Sequence, residues 1–503
     1  MSSIAGRVMR GTLWVSLGRI AVNLLTMLSM FVLAWLLTPS DFGLVAIAGT
    51  IIFVISAATE LSLSAALVRH ASPDESHLSA AWTLNAVRSL GLCLITCAIS
   101  WPVAQLYEDQ RLIPMLCVSG AGLFIGGLIN PRMAIAQRDL QFRPDFIVQT
   151  GQKLAGLIAS FSWAFVFRDY WALVVGSLAI QISGVLLSYI VLPFRPRILF
   201  KHFREFFGFS GWLLASQIVN SLNWRFDQLL AGKMFGAYVL GYYNMGSNIA
   251  QLATREAIIP LTQPLFPAFV AVRHDKARLA AAYQRVQAIV TAVALPVGVS
   301  TALIAEPLIR LVLGEKWLDS VPVVQALATI GAVQTMGSIA QPLAMALDQT
   351  QTLFRRDLAL LALRIVAFIG GALAFGIVGL IAARVGTQLV TIMVNTVLVR
   401  KLAGLSLRRQ LLINGRTMLA TGMMVVAVLA INPLLVSMNG YWEQALVLGV
   451  RVIIGALAYI AALALLWVMR GRPAGPEAEG LALFGNLRLR LRTRSNKWRE
   501  TNG

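Results

Sequence analysis

Side chains that do chemistry are scarce in this chain. Only 3 cysteines and 4 histidines occur in 503 residues, and neither type shows metal-ligand spacing. Cys93, Cys97 and Cys117 fall inside or at the edge of apolar segments, where a cysteine reads as a reduced, buried, small hydrophobe. His70, His77, His202 and His274 lie in polar connections. No disulfide or metal centre follows from them. Also missing are a Walker-type phosphate loop, a His-Glu-x-x-His pair and a Gly-x-Ser-x-Gly elbow. Charge is thin and one-sided: 13% of residues are charged, with 22 Asp and Glu against 42 Lys and Arg, for a formal net charge of +20. A nucleic-acid-binding protein carries such an excess on a solvated, charge-rich surface. Here the cations punctuate long apolar runs, so nucleic acid is not the expected partner.

What fills the sequence instead is hydrocarbon. Hydrophobic residues make up 58% and the mean hydropathy is +0.74, more apolar surface than a soluble domain of this size buries. Crossing about 30 Å of hydrocarbon takes roughly 20 apolar residues. That ruler places spans near 12–37, 42–68, 79–103, 112–131, 147–167 and 171–193. After a basic stretch from Arg195 to Arg204, six more follow near 208–231, 237–265, 283–309, 322–347, 357–375 and 377–399, and two further spans near 416–438 and 444–469. The run after Gly11 far exceeds the 7 to 15 residues of a signal-peptide core and reads as a retained first span. The expected fold is an all-α polytopic membrane protein of about fourteen transmembrane helices. Its parts are a first six-helix lobe (1–194), a basic amphipathic linker (195–207), a second six-helix lobe (208–400), two additional C-terminal helices (401–470) and a basic tail (471–503).

The cations sort by side. The N-terminus, alternate connections and C-terminus hold 29 Lys and Arg, against five on the opposite face: Arg111, Arg168, Lys233, Arg310 and Lys316. Cytoplasmic segments carry such an excess, so both termini are expected in the cytoplasm. The clusters Arg195, Arg197, Lys201, Arg204 and Arg400, Lys401, Arg408, Arg409 then meet anionic membrane lipids. No connection on the opposite face exceeds roughly 12 residues, which leaves no room for a catalytic domain. Transport without an enzymatic step or a cofactor is the expectation.

The chain also repeats itself weakly. Within segments 36–51 and 233–248, a step of 198 residues lays Phe42-Gly43 on Leu240-Gly241. Six spans separate the copies, an even number, so they share an orientation and are related by an axis along the membrane normal. Ala34-Trp-Leu-Leu-Thr-Pro-Ser-Asp-Phe-Gly43 and Asp227-Gln-Leu-Leu-Ala-Gly-Lys-Met-Phe-Gly-Ala-Tyr-Val-Leu-Gly-Tyr242 resemble the polysaccharide exporters of the multidrug/oligosaccharidyl-lipid/polysaccharide (MOP) superfamily, specifically the Wzx-type flippases. The resemblance implies two six-helix lobes forming a V around a central cavity, alternating access and a bacterial inner-membrane location. It implies undecaprenyl-diphosphate-linked oligosaccharide as cargo, for O-antigen, capsule or exopolysaccharide, with a polymerase and co-polymerase as possible partners. A peptidoglycan lipid-precursor flippase, a cation-coupled multidrug exporter and a membrane glycosyltransferase or polymerase remain alternatives.

Ionisable groups inside a bilayer are costly and are functional candidates by default. Here they are mostly cationic: Arg19, Arg88, Lys153, Arg225, Arg255, Arg364, Arg384 and Arg451, against Glu60, Asp227 and Glu256. Guanidinium groups suit a diphosphate, which selects Arg19, Arg225, Arg255 and Lys153; snorkelling or internal pairing is the competing explanation. Polar stripes at helical spacing select Asn23, Gln217, Asn220, Asn244, Asn248 and Gln251 for sugar hydroxyls, with interhelical hydrogen bonding as the competitor. Glu60, Asp227 and Glu256 are candidates for ion coupling, or partners of nearby arginines.

Overall fold

The computed structural model describes residues 4–57, 59, 74–200, 211–262, 265–435 and 441–471. Among them every regular element is a helix, as hydrocarbon demands of a backbone that must satisfy its own N–H and C=O groups. In chain order these are α1 (Ile4–Leu36), α2 (Pro39–Ala57), α3 (Glu75–Tyr107), α4 (Leu112–Gly127), α5 (Arg132–Arg138), α6 (Arg143–Phe167), α7 (Trp171–Val191), α8 (Gly211–Thr262) and α9 (Leu265–Val272). Then come α10 (Lys276–Leu303), α11 (Ala305–Val312), a 3-10 turn (Glu315–Ser320), α12 (Val321–Ser338), α13 (Ala340–Ala346), α14 (Thr350–Ala403), α15 (Leu407–Ile413), α16 (Gly415–Leu435) and α17 (Tyr441–Met469).

Eight helices among the described residues are long and apolar enough to cross a membrane, or ten if the bent pairs α4/α5 (56°) and α15/α16 (46°) each make one span. The count of fourteen is not reached by that measure. Two glycines account for part of the gap. The helix α8 runs 52 residues but breaks at Gly236 (φ 79°), and α14 runs 54 but breaks at Phe375 and Gly376 (φ 61° at the glycine). Positive φ suits glycine and ends the helix on either side. Around Gly376 the chain doubles back, since a Cβ on Gly379 would sit 1.9 Å from the carbonyl oxygen of Gly371.

Many large apolar side chains in mid-helix face outward. Leu24, Leu94, Ile158, Val366, Leu373, Val426 and Ile453 are between 60% and 73% exposed, far more apolar surface than a water-soluble monomer tolerates. The solvent of these faces is lipid, and the protein is a multi-pass membrane protein. Helix ends are capped at the polar boundaries: Asp74 accepts from the backbone N–H of Ser76 and His77, each at 3.0 Å, and Asp275 accepts from Ala277 and Arg278, each at 3.0 Å. Such caps fix where α3 and α10 begin.

The chain groups into two compact units, 1–244 and 245–503, with the change falling inside α8. Buried Leu33, Leu37, Ala164 and Ala172 form one core of the first unit, and Leu78, Ala81, Leu84, Ala134 and Phe194 another. The second unit is built round Phe269, Tyr283, Val290, Ile339, Leu343 and Val399. Cys93, Cys97 and Cys117 are free thiols, half-buried rather than buried as expected. The segment 193–200 has no regular structure, and the rest of the basic linker and all but Gly471 of the tail lie outside the described residues.

Candidate functional site

A cavity of about 820 Å3 lies within the first unit. Phe53, Ser56 and Ala57 of α2 form one wall, and Ala81, Trp82, Asn85 and Arg88 of α3 the next. The α4–α5 bend contributes Asn130, Pro131 and Gln137; α6 contributes Asp145, Gln149 and Gln152; the start of α8 contributes Gln217, Asn220 and Ser221. Helical spacing explains why these side chains converge. Asp145, Gln149 and Gln152 share one face of α6, as Ala81, Asn85 and Arg88 do on α3.

Some of the polar groups hold the walls in place. Asn85 donates to the carbonyl of Gly127 (2.8 Å), and Asn130 donates to the carbonyl of Ser188 (3.1 Å), tying the end of α4 to α3 and α7. Gln137 and Gln149 donate to the two oxygens of Asp145, at 3.2 and 3.0 Å. Trp82 donates through Nε1 to the Tyr189 hydroxyl at 2.8 Å. Arg88 donates to the carbonyls of Thr59 (2.6 Å) and Ser56 (3.4 Å), so its guanidinium is anchored at the C-terminal end of α2, where free carbonyls and the helix dipole favour a cation. The side chains of Gln152, Gln217 and Asn220 line the cavity and make no hydrogen bond among the described residues.

Of the residues singled out in the sequence, Gln217 and Asn220 line the cavity. Arg225 sits beside it: its guanidinium lies 5.0 Å from the ring centre of the lining Phe53 and donates to Gln228 at 2.9 Å. Gln228 also accepts from Thr50 (3.1 Å) and donates to Asn244 (3.2 Å), which places Asn244 in a helix-to-helix network away from the cavity wall. Arg19 and Asn23 on α1 and Lys153 on α6 are half-buried outside the lining set. Asp227 is wholly buried and accepts a 2.5 Å hydrogen bond from the Tyr243 hydroxyl. In the second unit Asn248 is exposed and Gln251 donates to Ser247 at 2.9 Å. Glu60 and the side chains of Arg255 and Glu256 lie outside the described residues. The amides Asn85, Asn130, Gln137, Gln149 and Gln152 were not singled out; the spacing of Asp145, Gln149 and Gln152 was the signal that could have found them.

Its lining combines amides, two aromatic faces, one cation and one carboxylate, groups able to hydrogen-bond hydroxyls and to stack on apolar ring faces. A family model described as polysaccharide biosynthesis protein matches residues 32–322. The chain belongs to that family. The resemblance read from residues 34–43 and 227–242 is thus borne out. Among the relatives of this polysaccharide biosynthesis protein is the lipopolysaccharide biosynthesis protein WzxC of Escherichia coli K12, 22% identical over 82% of this chain and 84% of the relative. The teichuronic acid biosynthesis protein TuaB of Bacillus subtilis is 23% identical over 67% of this chain and 70% of its own. The succinoglycan biosynthesis transport protein ExoT of Rhizobium meliloti is 23% identical over 70% and 71%. Among solved structures, the lipid II flippase MurJ in an inward closed conformation matches with a TM-score of 0.66 at 12% identity, covering 92% of this chain and 100% of that one. An inward-facing multidrug resistance MATE transporter of the MOP superfamily matches at 0.55 and 14% identity, over 76% and 96%. At these identities the likeness is one of fold, and the fold is that of MOP-superfamily transporters.

Proposed function

We propose that this protein moves a polyprenyl-diphosphate-linked oligosaccharide across the bacterial inner membrane for surface polysaccharide synthesis. The observation that carries the reading is the amide-lined cavity in a chain of the polysaccharide biosynthesis family. A carboxamide both donates and accepts, so Gln152, Gln217 and Asn220 meet sugar hydroxyls in any orientation. The volume falls in the range of about 300 to 1,000 Å3 usual for ligand pockets. Phe53 and Trp82 offer apolar faces to a pyranose ring, and Arg88 and Arg225 offer donors to phosphate oxygens. Carbohydrate, rather than a greasy cation, is the cargo these groups favour.

In this reading the fourteen spans form two six-helix halves and a C-terminal pair, with both termini and the more basic face in the cytoplasm. The lipid tail stays in the bilayer while the head group enters the cavity, and the protein does no covalent chemistry. The relatives' names support the substrate class, since they are named for lipopolysaccharide, teichuronic acid and succinoglycan synthesis or transport. The test is deletion of the gene followed by lipid extraction. Accumulation of polyprenyl-diphosphate-linked oligosaccharide on the cytoplasmic face, with loss of surface polysaccharide, is expected. Normal polysaccharide together with altered drug sensitivity would move the protein to the exporter branch.

A further inference from the structure

Two smaller pockets occupy matching places in the repeat. In the first unit a cavity of about 580 Å3 lies between the first turn of α3 (Glu75, Ser79), Arg132 at the head of α5, and Arg195 and Arg197 in the segment after α7. In the second unit a cavity of about 540 Å3 lies between the first turns of α10 (Lys276, Gln284), Lys401 at the end of α14, and Arg409 on α15. Each is thus built from the start of the third span of a half and the chain that follows the sixth. That correspondence rests on the two-half reading above; the pockets themselves do not.

The cations in these pockets differ from those of the opposite face. There Arg111 pairs with Asp109 (2.7 Å), Lys233 with Glu108 (3.0 Å) and Arg310 with Glu306 (3.1 Å). Among the described residues Arg195, Arg197, Lys276, Lys401 and Arg409 have no acidic partner. Arg132, which also lines the first pocket, is held by Glu75 and lies 5.7 Å from the ring centre of Phe194. Exposed apolar side chains adjoin both sets: Ile198 and Phe200 follow the arginines at 73% and 66% exposure, and Leu411 and Leu412 follow Arg409 at 60% and 59%. Unpaired cations beside outward apolar groups fit a molecule with an anionic head and a hydrocarbon tail.

We propose that each half carries a site for the phosphate headgroup of an acidic phospholipid of the more basic leaflet. Free phosphate shares the head chemistry but has no use for Ile198, Phe200, Leu411 and Leu412. The test is retention of phosphatidylglycerol by the full chain purified in detergent, read by native mass spectrometry, with phosphatidylcholine and inorganic phosphate as the contrasting probes. Two phosphatidylglycerols are expected on the wild type, one on R195A/R197A, one on K401A/R409A, and none on the fourfold variant, while R195K/R197K keeps both. Salt is a second reading that needs no variant: retention should weaken about tenfold between low and high ionic strength as exposed charges are screened. Equal retention by all variants, salt-independent retention, equal binding of phosphatidylcholine, or displacement of the lipid by equimolar inorganic phosphate would each overturn the proposal. Because the readout is bound lipid and not export, it stands or falls separately from the flippase reading.

Discussion

Gly43 and Gly241 make a reciprocal contact. A Cβ on Gly43 would sit 1.7 Å from the carbonyl oxygen of Ala237, and a Cβ on Gly241 would sit 1.8 Å from the carbonyl oxygen of Pro39. The same step of 198 residues takes Pro39 to Ala237 and Gly43 to Gly241. The two glycine-bearing segments compared in the sequence thus pack on one another, α2 against the second arm of α8, and the contact needs glycine on both sides because backbone meets backbone.

Neither glycine should accept even a methyl group. Gly43→Ala and Gly241→Ala each force the two helices apart, an overpacking cost of roughly 1–3 kcal/mol or more. Thermal unfolding of the detergent-purified protein should register the loss for each. Gly49→Ala, on the same helix with nothing within 4 Å of its Cβ, serves as the control and should change stability by under about 0.5 kcal/mol.

The Asp227–Tyr243 pair makes a second prediction. Tyr243→Phe removes a donor to a wholly buried carboxylate, and loss of one buried hydrogen bond costs about 0.5–1.5 kcal/mol. A lower unfolding temperature is expected for Tyr243→Phe, and an unchanged one would show that this hydrogen bond adds nothing to stability.

Hydropathy made the fold legible because a bilayer imposes one length on every span. The run at 79–103 falls inside α3, the run at 171–193 passes the end of α7 by two residues, and the glycines at 236 and 376 stand where two long helices break. The site was legible only in part. Gln217 and Asn220 were visible as a polar stripe, whereas charge pointed to Arg19 and Lys153, which lie outside the lining set. A cation's cost in lipid marks it as special without saying which face it takes. The amides of the cavity come from α3, α5, α6, α8 and the turn between α4 and α5, and only packing brings them together.

Transport should depend on the unspent amides more than on those that hold the walls. Gln152→Ala, Gln217→Ala and Asn220→Ala each remove about one hydrogen bond to sugar, near 1 kcal/mol. Each should cut export about fivefold, with membrane levels unchanged. Asn85→Ala and Asn130→Ala, which break wall contacts at Gly127 and Ser188, should instead lower protein yield and thermal stability. Export assayed as labelled surface polysaccharide per unit of protein separates the two groups; equal effects in both would show that the cavity is structural only.

The start of α3 carries a pH dependence whose sign the cap determines. Hydrogen bonds from Ser76 and His77 hold the Asp74 carboxyl well below the ordinary carboxylate range. A depressed carboxylate stabilises the fold above its unfolded value, and the contribution is lost as the pH falls through the folded value. Hydrogen exchange at Ser76, His77 and Leu78 should therefore be slow at pH 7 and should quicken relative to mid-helix amides only in strong acid. Asp74→Ala should show the faster exchange already at pH 7, because no side-chain acceptor is left for the first-turn N–H groups. Asp74→Asn keeps an acceptor and should lie between the two, without the acid-induced change. An Asp74→Asn protein that still loosens in acid as the wild type does would assign the effect to another group.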